Sequence, residues 1–488
     1  MNKKFEDVIA EQGRLVYTNV GDSMNPVIRE GDLLVIEAVK APLKVGDVPL
    51  YKRNSGQYVL HRIVGIKNGK YSMKGDNRTG VETGIRDRHI IGVLTGIVRN
   101  GKTYPVETVQ EYTARIAKDM IYLVSCAVNE ETPDRERMGN LDLREIYRVA
   151  HEHMLSVAVA YALEKVMPLP RAFDQSRKKA IRKLTLLETE RMVITQELEK
   201  AGIRYLPLKG IILKDDYPKS AMREMTDIDI LCDPSRLSDV RQIMRSLDYF
   251  GGEYEKDHDV VFKKLPSIVV EIHTRLFDRE YHPLYFEYYK KLWEKANPIE
   301  GTEYGYRMTD EDFYVYLICH MYKHYRYAGT GLRSLLDIYV YLKKHGETLD
   351  RSYLATELEE LELTDFENKM SRLASKVFTE KALTVQEQVE LEYLVGSGVF
   401  GTEERAMQYS MSKYFTEDKS RFSKVKYALH RVFISDKDME KHYPFVYRHK
   451  VLYPLLPIYR LGKGIVKHPK RLLAEYKNVK HFKKKEKP

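Results

Sequence analysis

The sequence predicts a multidomain α+β protein, with a small β-rich domain followed by an α+β core embedded in helical regions. Three observations carry this expectation. Residues 14 to about 105 contain short β-branched runs separated by turn signals. From about Glu107, apolar residues recur at helical spacing. A strand–helix–strand passage then interrupts the helices between Ile203 and Phe277. At roughly 150 residues per domain, 488 residues allow about three folding units. The expected segments are 1–105 (β domain), 106–200 (helical), 201–300 (core), 301–440 (helical) and 441–488 (basic amphipathic tail).

The elements follow in order. DLLVIEAV, QYVLHRIVGI, GKYSMKGD and HIIGVLTGIV read as strands, divided by turns such as Glu30-Gly31-Asp32, KNGK and RNGK. VQEYTARIAKDMIYLVSCAV, LREIYRVAHEHMLSVAVAYALEKV and KKAIRKLTLLETERMVITQELEKAG read as helices, the last capped by Gly202. IRYLPL is a strand, Lys209-Gly210 opens a helix, and TDIDILCD and IVVEIHTRLF are further strands. After Trp293 the helical pattern returns in EDFYVYLICHMYKHYRY and LRSLLDIYVYLKKHG.

Hydrophobic residues are 43% and charged residues 31%, with a mean hydropathy of −0.47. That balance suits a globular chain and excludes a membrane bundle. No run approaches about 18 apolar residues, so no span is expected, and the N-terminus lacks a signal-peptide pattern. Cys126, Cys232 and Cys319 are scattered, which argues against a disulfide framework or zinc finger and fits a reducing cytoplasm. The net charge of +10 is localised. Residues 441–488 hold 14 Lys and Arg against Glu475 and Glu486, a net +12 that leaves the other residues at −2. No sequence-specific nucleic-acid binding is therefore expected of the body of the chain.

The first chemical constellation lies in GDSMNPVIREGD. A nucleophilic serine needs a tight bend that exposes its hydroxyl, and Ser23 lies between a Gly-Asp turn and Pro26. His61, expected within the strand YVLHRIVGI, is the candidate base. Asp76 in KGDN and Glu82 after it are the candidate acidic partners. Ser-Met-x-Pro, Gly31-Asp32, Gly46-Asp47, HRIVGI, KGDN and IIGVLTGIVRNGK follow in order over about 90 residues, and together they resemble the signal peptidase I family. The His61-Arg62 pair is similar to the archaeal and endoplasmic-reticulum type. That resemblance implies Ser23 as nucleophile, His61 as base, and Asp76 or Glu82 as acidic partner. It also implies a membrane anchor, which this sequence does not show.

The second constellation is YLPLKGIILKDDYPKSAMREMTDIDIL. Asp227 and Asp229 alternate on a strand and so point to one face. Paired carboxylates suit Mg²⁺ beside a substrate phosphate, and Glu271 on a neighbouring strand would complete the set. Lys209 and Gly210 open a helix whose backbone and ammonium would attract phosphate. Arg223 is a candidate phosphate clamp. His273 would bind phosphate or satisfy a core hydrogen bond. LKG, Arg223, DIDIL and EIH in this order resemble the nucleotidyltransferase superfamily of DNA polymerase beta. In particular they resemble an uncharacterised bacterial nucleotidyltransferase family, over roughly residues 108–460. The resemblance implies an NTP substrate, ATP being the first expectation, with Mg²⁺ held by Asp227, Asp229 and Glu271. Lys209, Gly210, Arg223 and His273 would then serve the nucleotide. His320 and His324 stand one helical turn apart beside Cys319 without an HExxH glutamate, and suit a structural or pocket-lining role. Asp337 is a candidate partner for them.

Two classes of function follow. One is a bifunctional enzyme, in which NMP transfer to an unknown acceptor accompanies Ser/His endopeptidase action, with a ribosomally made peptide as a shared substrate. The other is a non-catalytic peptide- and nucleotide-binding protein. The tail, rich in Tyr, Leu, Lys and Arg, suits peripheral contact with the inner face of a membrane. The expected location is cytoplasmic.

Overall fold

The computed structural model describes residues 3–99, 101–256, 259–279, 282–399, 401–402, 405, 439 and 443–467. The chain forms two compact units, residues 1–118 and 119–488.

The first unit is β-rich. Its strands are β1 (Arg14–Thr18), β2 (Leu33–Glu37), β3 (Pro49–Lys52), β4 (Tyr58–Leu60), β5 (Arg62–Lys67), β6 (Lys70–Lys74), β7 (Glu82–Ile85), β8 (Ile90–Arg99) and β9 (Lys102–Tyr104). One sheet runs β1-β2-β8-β3-β4, with β9 added to β8, and a second runs β5-β6-β7. All pairings are antiparallel, as hairpin-length connections allow. Tyr51, Ile63, Tyr71, Met73 and Ile85 form a buried cluster. The strand expected to run through His61 is broken there. β4 ends at Leu60 in the large sheet and β5 begins at Arg62 in the small one. Leu60, Arg62 and Ile63 are all buried, so the chain turns at His61 to bury three successive anchors around it.

In the second unit, the stretch read as one helix from Leu143 is two, Leu143–Glu152 and Ser156–Leu163. Met154 divides them at φ 54°. A 30-residue helix, Arg171–Lys200, follows and is closed by Gly202 at φ 63°, a left-handed stop that glycine adopts without steric cost. The sheet contains β10 (Tyr205–Pro207), β11 (Ile228–Cys232), β12 (Phe250–Lys256), β13 (Asp259–Lys264) and β14 (Ile268–His273), in the order β10-β11-β14-β13-β12. β12 and β13 were not anticipated from the sequence pattern. β11 and β14 are parallel, with Asp229 opposite Glu271 and Leu231 opposite His273.

One face of this sheet is apolar. Ile228, Ile230, Cys232, Val270 and Ile272 pack there with Leu187, Ile194 and Leu198 of the long helix. The alternate positions, Asp229, Leu231, Glu271 and His273, therefore share the opposite face. Helices Asp310–Tyr327 and Leu332–His345 come later in the chain.

Of the basic segment 441–488, residues 443–467 form a short helix, Pro444–Arg448, a 3₁₀ stretch, Lys450–Leu455, and the helix Leu456–Lys467. The rest of that segment lies outside the described residues. Among the described residues no helix is long and apolar enough to cross a membrane. The three cysteines are buried thiols.

Candidate functional site

In the first unit, Ser23 is half-buried in the turn region after β1. Its backbone oxygen accepts from the Asn77 N–H at 2.8 Å, which ties the serine turn to the KGDN loop. Gly75 permits that approach. A Cβ on Gly75 would stand 2.7 Å from Ser23 O and 3.0 Å from His61 Nε2, so the serine backbone and the imidazole edge meet at one point. No hydrogen bond joins Ser23 Oγ to His61 among the described residues.

The other edge of His61 is held by a relay. The Tyr51 hydroxyl donates to Glu82 Oε2 at 2.8 Å and stands 3.4 Å from His61 Nδ1. Arg53 anchors Glu82 with its Nε at 3.0 Å and Nη2 at 2.6 Å. Since the Tyr51 proton goes to Glu82, the Tyr51 oxygen is left to accept from Nδ1–H. Nε2, the edge toward Ser23, then carries the lone pair. Burial holds the His61 pKa below its ordinary value, and the Arg53 charge lowers it further. The imidazole is thus neutral at pH 7, the state a general base requires.

Of the two candidate acids, Glu82 joins this relay. Asp76 does not face His61. It takes a two-pronged pair from buried Arg62, at 2.9 and 2.7 Å, and Arg62 also donates to the Gly46 and Glu107 carbonyls. Asp76 therefore braces the bend between the sheets. Sequence reading missed Tyr51 and Arg53. Tyr51 lies on β3 and Arg53 just beyond its end, and nothing local in either marks it as a partner of Glu82.

In the second unit, Asp229 is the centre of the arrangement. Its carboxylate accepts from Lys209 Nζ at 2.6 Å and lies 2.8 Å from His273 Nε2. His273 Nδ1 is 2.5 Å from Asp259 on β13, the strand position directly opposite it. His273 is thus held between two carboxylates, which raise its pKa despite burial and the Lys209 charge. Asp229 is buried, yet Lys209 and His273 hold its pKa well below the usual carboxylate range.

Glu271 behaves oppositely. Burial first, then the charges of Asp229, Asp227 and Asp259, push its pKa up to about 7. Asp227, just ahead of β11, is raised by burial and by Asp229. Asp229, Glu271 and His273 each offer a ligand atom, all within 4.8 Å of one another. Crowded carboxylates whose repulsion is only partly offset by Lys209 fit a hard divalent cation. Asp227 stands outside that tight group, and both ring nitrogens of His273 already face carboxylates, Asp229 and Asp259, which leaves Asp229 and Glu271 as the cation's oxygen donors.

Other expected roles change. Lys209, at φ 51°, directs its ammonium to Asp229 rather than outward. Gly210 begins a helix of only four residues. A Cβ on Gly210 would lie 3.5 Å from Arg223 Nη1. Arg223 is buried and donates to Asp337 at 2.7 Å, and Tyr217 donates to the same oxygen. Asp337 therefore serves Arg223, not the two histidines. Arg223 is engaged inside the fold, so it is not an open phosphate clamp. His273 is 2% exposed and takes the buried reading, not that of an outward phosphate ligand. The Nε2 atoms of His320 and His324 face each other at 3.2 Å. Burial, His324 and then Lys209 hold the His320 pKa well below its ordinary value. His320 so borders the carboxylate centre as a neutral side chain. Asp259 was missed because β13 was missed, its short VVF run carrying no alternation to mark a strand.

Comparison with known protein families finds a match in each unit. Residues 4–98 match the family described as Peptidase S24-like. Residues 139–379 match the family described as Uncharacterised nucleotidyltransferase. The first match spans the segments that resemble signal peptidase I, under a different family name. Comparison with curated proteins gave no match. The chain therefore carries a Peptidase S24-like domain and a nucleotidyltransferase-like domain.

Proposed function

We propose that the second unit transfers a nucleoside monophosphate from an NTP, with ATP the first substrate to try, to a hydroxyl or phosphate of an acceptor. One observation carries the reading: Asp229 and Glu271 face each other across parallel strands, with Lys209 fixing the first and Glu271 held near neutrality. Asp229 and Glu271 would hold Mg²⁺, with Asp227 close enough to add charge. When bound, Mg²⁺ supplies neutralisation of the phosphate oxygens. Lys209 keeps Asp229 ionised and oriented. Glu271 receives the acceptor proton as the new P–O bond forms and the bond to pyrophosphate breaks. His273, fixed by Asp259, holds Asp229 from its other side.

We propose that the first unit is a serine endopeptidase acting on a peptide, with a ribosomally made precursor as a candidate shared substrate. Ser23 Oγ would attack the carbonyl while His61 Nε2 takes its proton, and His61–H⁺ would then protonate the leaving amine. A second reading, a peptide-holding unit without turnover, is supported by the lack of a Ser23 Oγ–His61 hydrogen bond. A serine-reactive phosphonate separates the two. Labelling of wild type but not of Ser23→Ala supports the peptidase, and equal labelling of both removes Ser23 as nucleophile. For the transferase, α-labelled NTPs are supplied with Mg²⁺ and a candidate acceptor extract. Label transfer lost in Asp229→Asn supports the reading, while transfer unchanged in that variant rejects it.

A further inference from the structure

Beside the carboxylate centre lies a cavity of about 420 Å³. Leu231, which lines it, follows Asp229 by two residues on β11, a distance of about 7 Å at the usual strand rise. Thr274, the residue after His273, also lines it. Its walls include Phe277, Phe286, Tyr289 and Trp293, together with the cationic Arg275 and Lys290. Arg275 is paired with Asp278 and Lys290 with Glu287, so the walls offer chiefly aromatic and apolar surface. Aromatic contacts continue from the cavity toward the catalytic centre. Phe277 stacks on Tyr289 at 5.2 Å and meets Tyr316 edge-on at 6.4 Å, and Tyr316 feels the charge of Lys209.

We propose that this cavity takes the base and ribose of the nucleoside triphosphate whose phosphates reach Asp229 and Glu271. The inference rests on the nucleotidyl-transfer reading and names its nucleoside subsite. A flat π-face suits aromatic walls. The one-strand-step offset from Asp229 places the base beside the phosphates rather than on them.

The chain has one tryptophan, Trp293, so its emission reports on this cavity. The full-length protein is titrated with ATP, GTP, CTP and UTP in Mg²⁺, and separately with inorganic triphosphate, correcting for inner-filter absorption. NMP transfer is followed in parallel. Saturable quenching by at least one nucleotide, without quenching by triphosphate, is expected. Phe286→Ala is expected to raise the apparent Kd about tenfold. Phe286→Leu, which keeps apolar volume but removes the π-face, should show most of that loss with its thermal transition unmoved. Nucleotide quenching lost in both variants without any NMP transfer would sink the enzymatic reading and uphold the subsite. NMP transfer with Trp293 silent, or an unchanged Kd in both variants, overturns the subsite.

Discussion

Replacing Glu271 by glutamine should make the second unit more stable at pH 8 in the absence of divalent cations. The sign follows from the raised pKa. An unfolded glutamate ionises near 4.5 and the native Glu271 near 7, so the native state binds the extra proton between those values. Stability from this group therefore falls as pH rises from about 4.5 to 7 and stays low above 7. A displacement of roughly 2.5 pH units at about 1.4 kcal/mol each gives about 3.5 kcal/mol as the upper limit at pH 8. The glutamine keeps the shape and removes the charge, so it should recover about 1–3 kcal/mol, or several degrees in Tm. At pH 4.5 the two proteins should melt together. Added Mg²⁺ should stabilise wild type by mass action and the variant less, narrowing or reversing the difference. Thermal melts at pH 4.5, 6 and 8, with EDTA or with Mg²⁺, test each part. A variant less stable than wild type at pH 8 in EDTA would refute the reasoning, because Lys209 would then outweigh the carboxylate repulsion.

Four further outcomes are expected. Gly75→Ala should abolish phosphonate labelling of Ser23 and destabilise the first unit by about 1–3 kcal/mol, since its Cβ would meet Ser23 O at 2.7 Å. A melt and a labelling assay check both effects. Tyr51→Phe should shift His61 from the Nδ1–H toward the Nε2–H tautomer, read by long-range ¹H–¹⁵N NMR, and slow labelling about tenfold or more; an unchanged tautomer would remove the relay. Asp337→Ala should cost the second unit about 3–5 kcal/mol, because it strands the buried Arg223 charge, and should lower its Tm by about 10 °C. Phe445, Val451, Leu455, Ile458 and Tyr459 are exposed within a strongly basic segment, so anionic vesicles should float the protein at low salt. Truncation at residue 442 should abolish flotation, and unchanged flotation would reject a membrane role for the tail.

Alternation made the carboxylate face legible. In DIDIL and EIH, period 2 alone puts Asp229 and Glu271 opposite the apolar positions, and the parallel register does align them. Ordered motifs likewise pointed to Ser23, His61 and the KGDN loop, which Gly75 brings together. What stayed hidden depends on packing between distant segments. Arg223 and Asp337 lie 114 residues apart, and nothing local in either says that one neutralises the other. A free arginine and a committed one look alike in sequence. The same holds for Asp76, whose place in KGDN suggested catalysis and whose contacts brace Arg62. Strand β13 was missed because DVVFKK is short, and with it went Asp259.

Two histidines show why residue type alone could not assign roles. His61 and His273 have the same intrinsic acidity, and their surroundings pull them apart. His61 is half-buried, its nearest hydrogen-bonding neighbour is a neutral phenol, and Arg53 adds positive potential, so the ring is kept uncharged. His273 lies between two carboxylates, and their attraction overcomes burial and Lys209, so its pKa is raised. A neutral imidazole accepts a proton, whereas one held between carboxylates donates to Asp229 and, with Lys209, helps it stay ionised inside the fold. The Glu82 charge would favour a protonated His61 if it touched the ring directly. Interposing Tyr51 passes on orientation through a hydrogen bond while holding that charge one side chain away. In the second unit direct contact is the better arrangement, because a buried Asp229 needs positive charge and not merely alignment. Each constellation is thus consistent with the chemistry assigned to it, for a reason that lies in its neighbours.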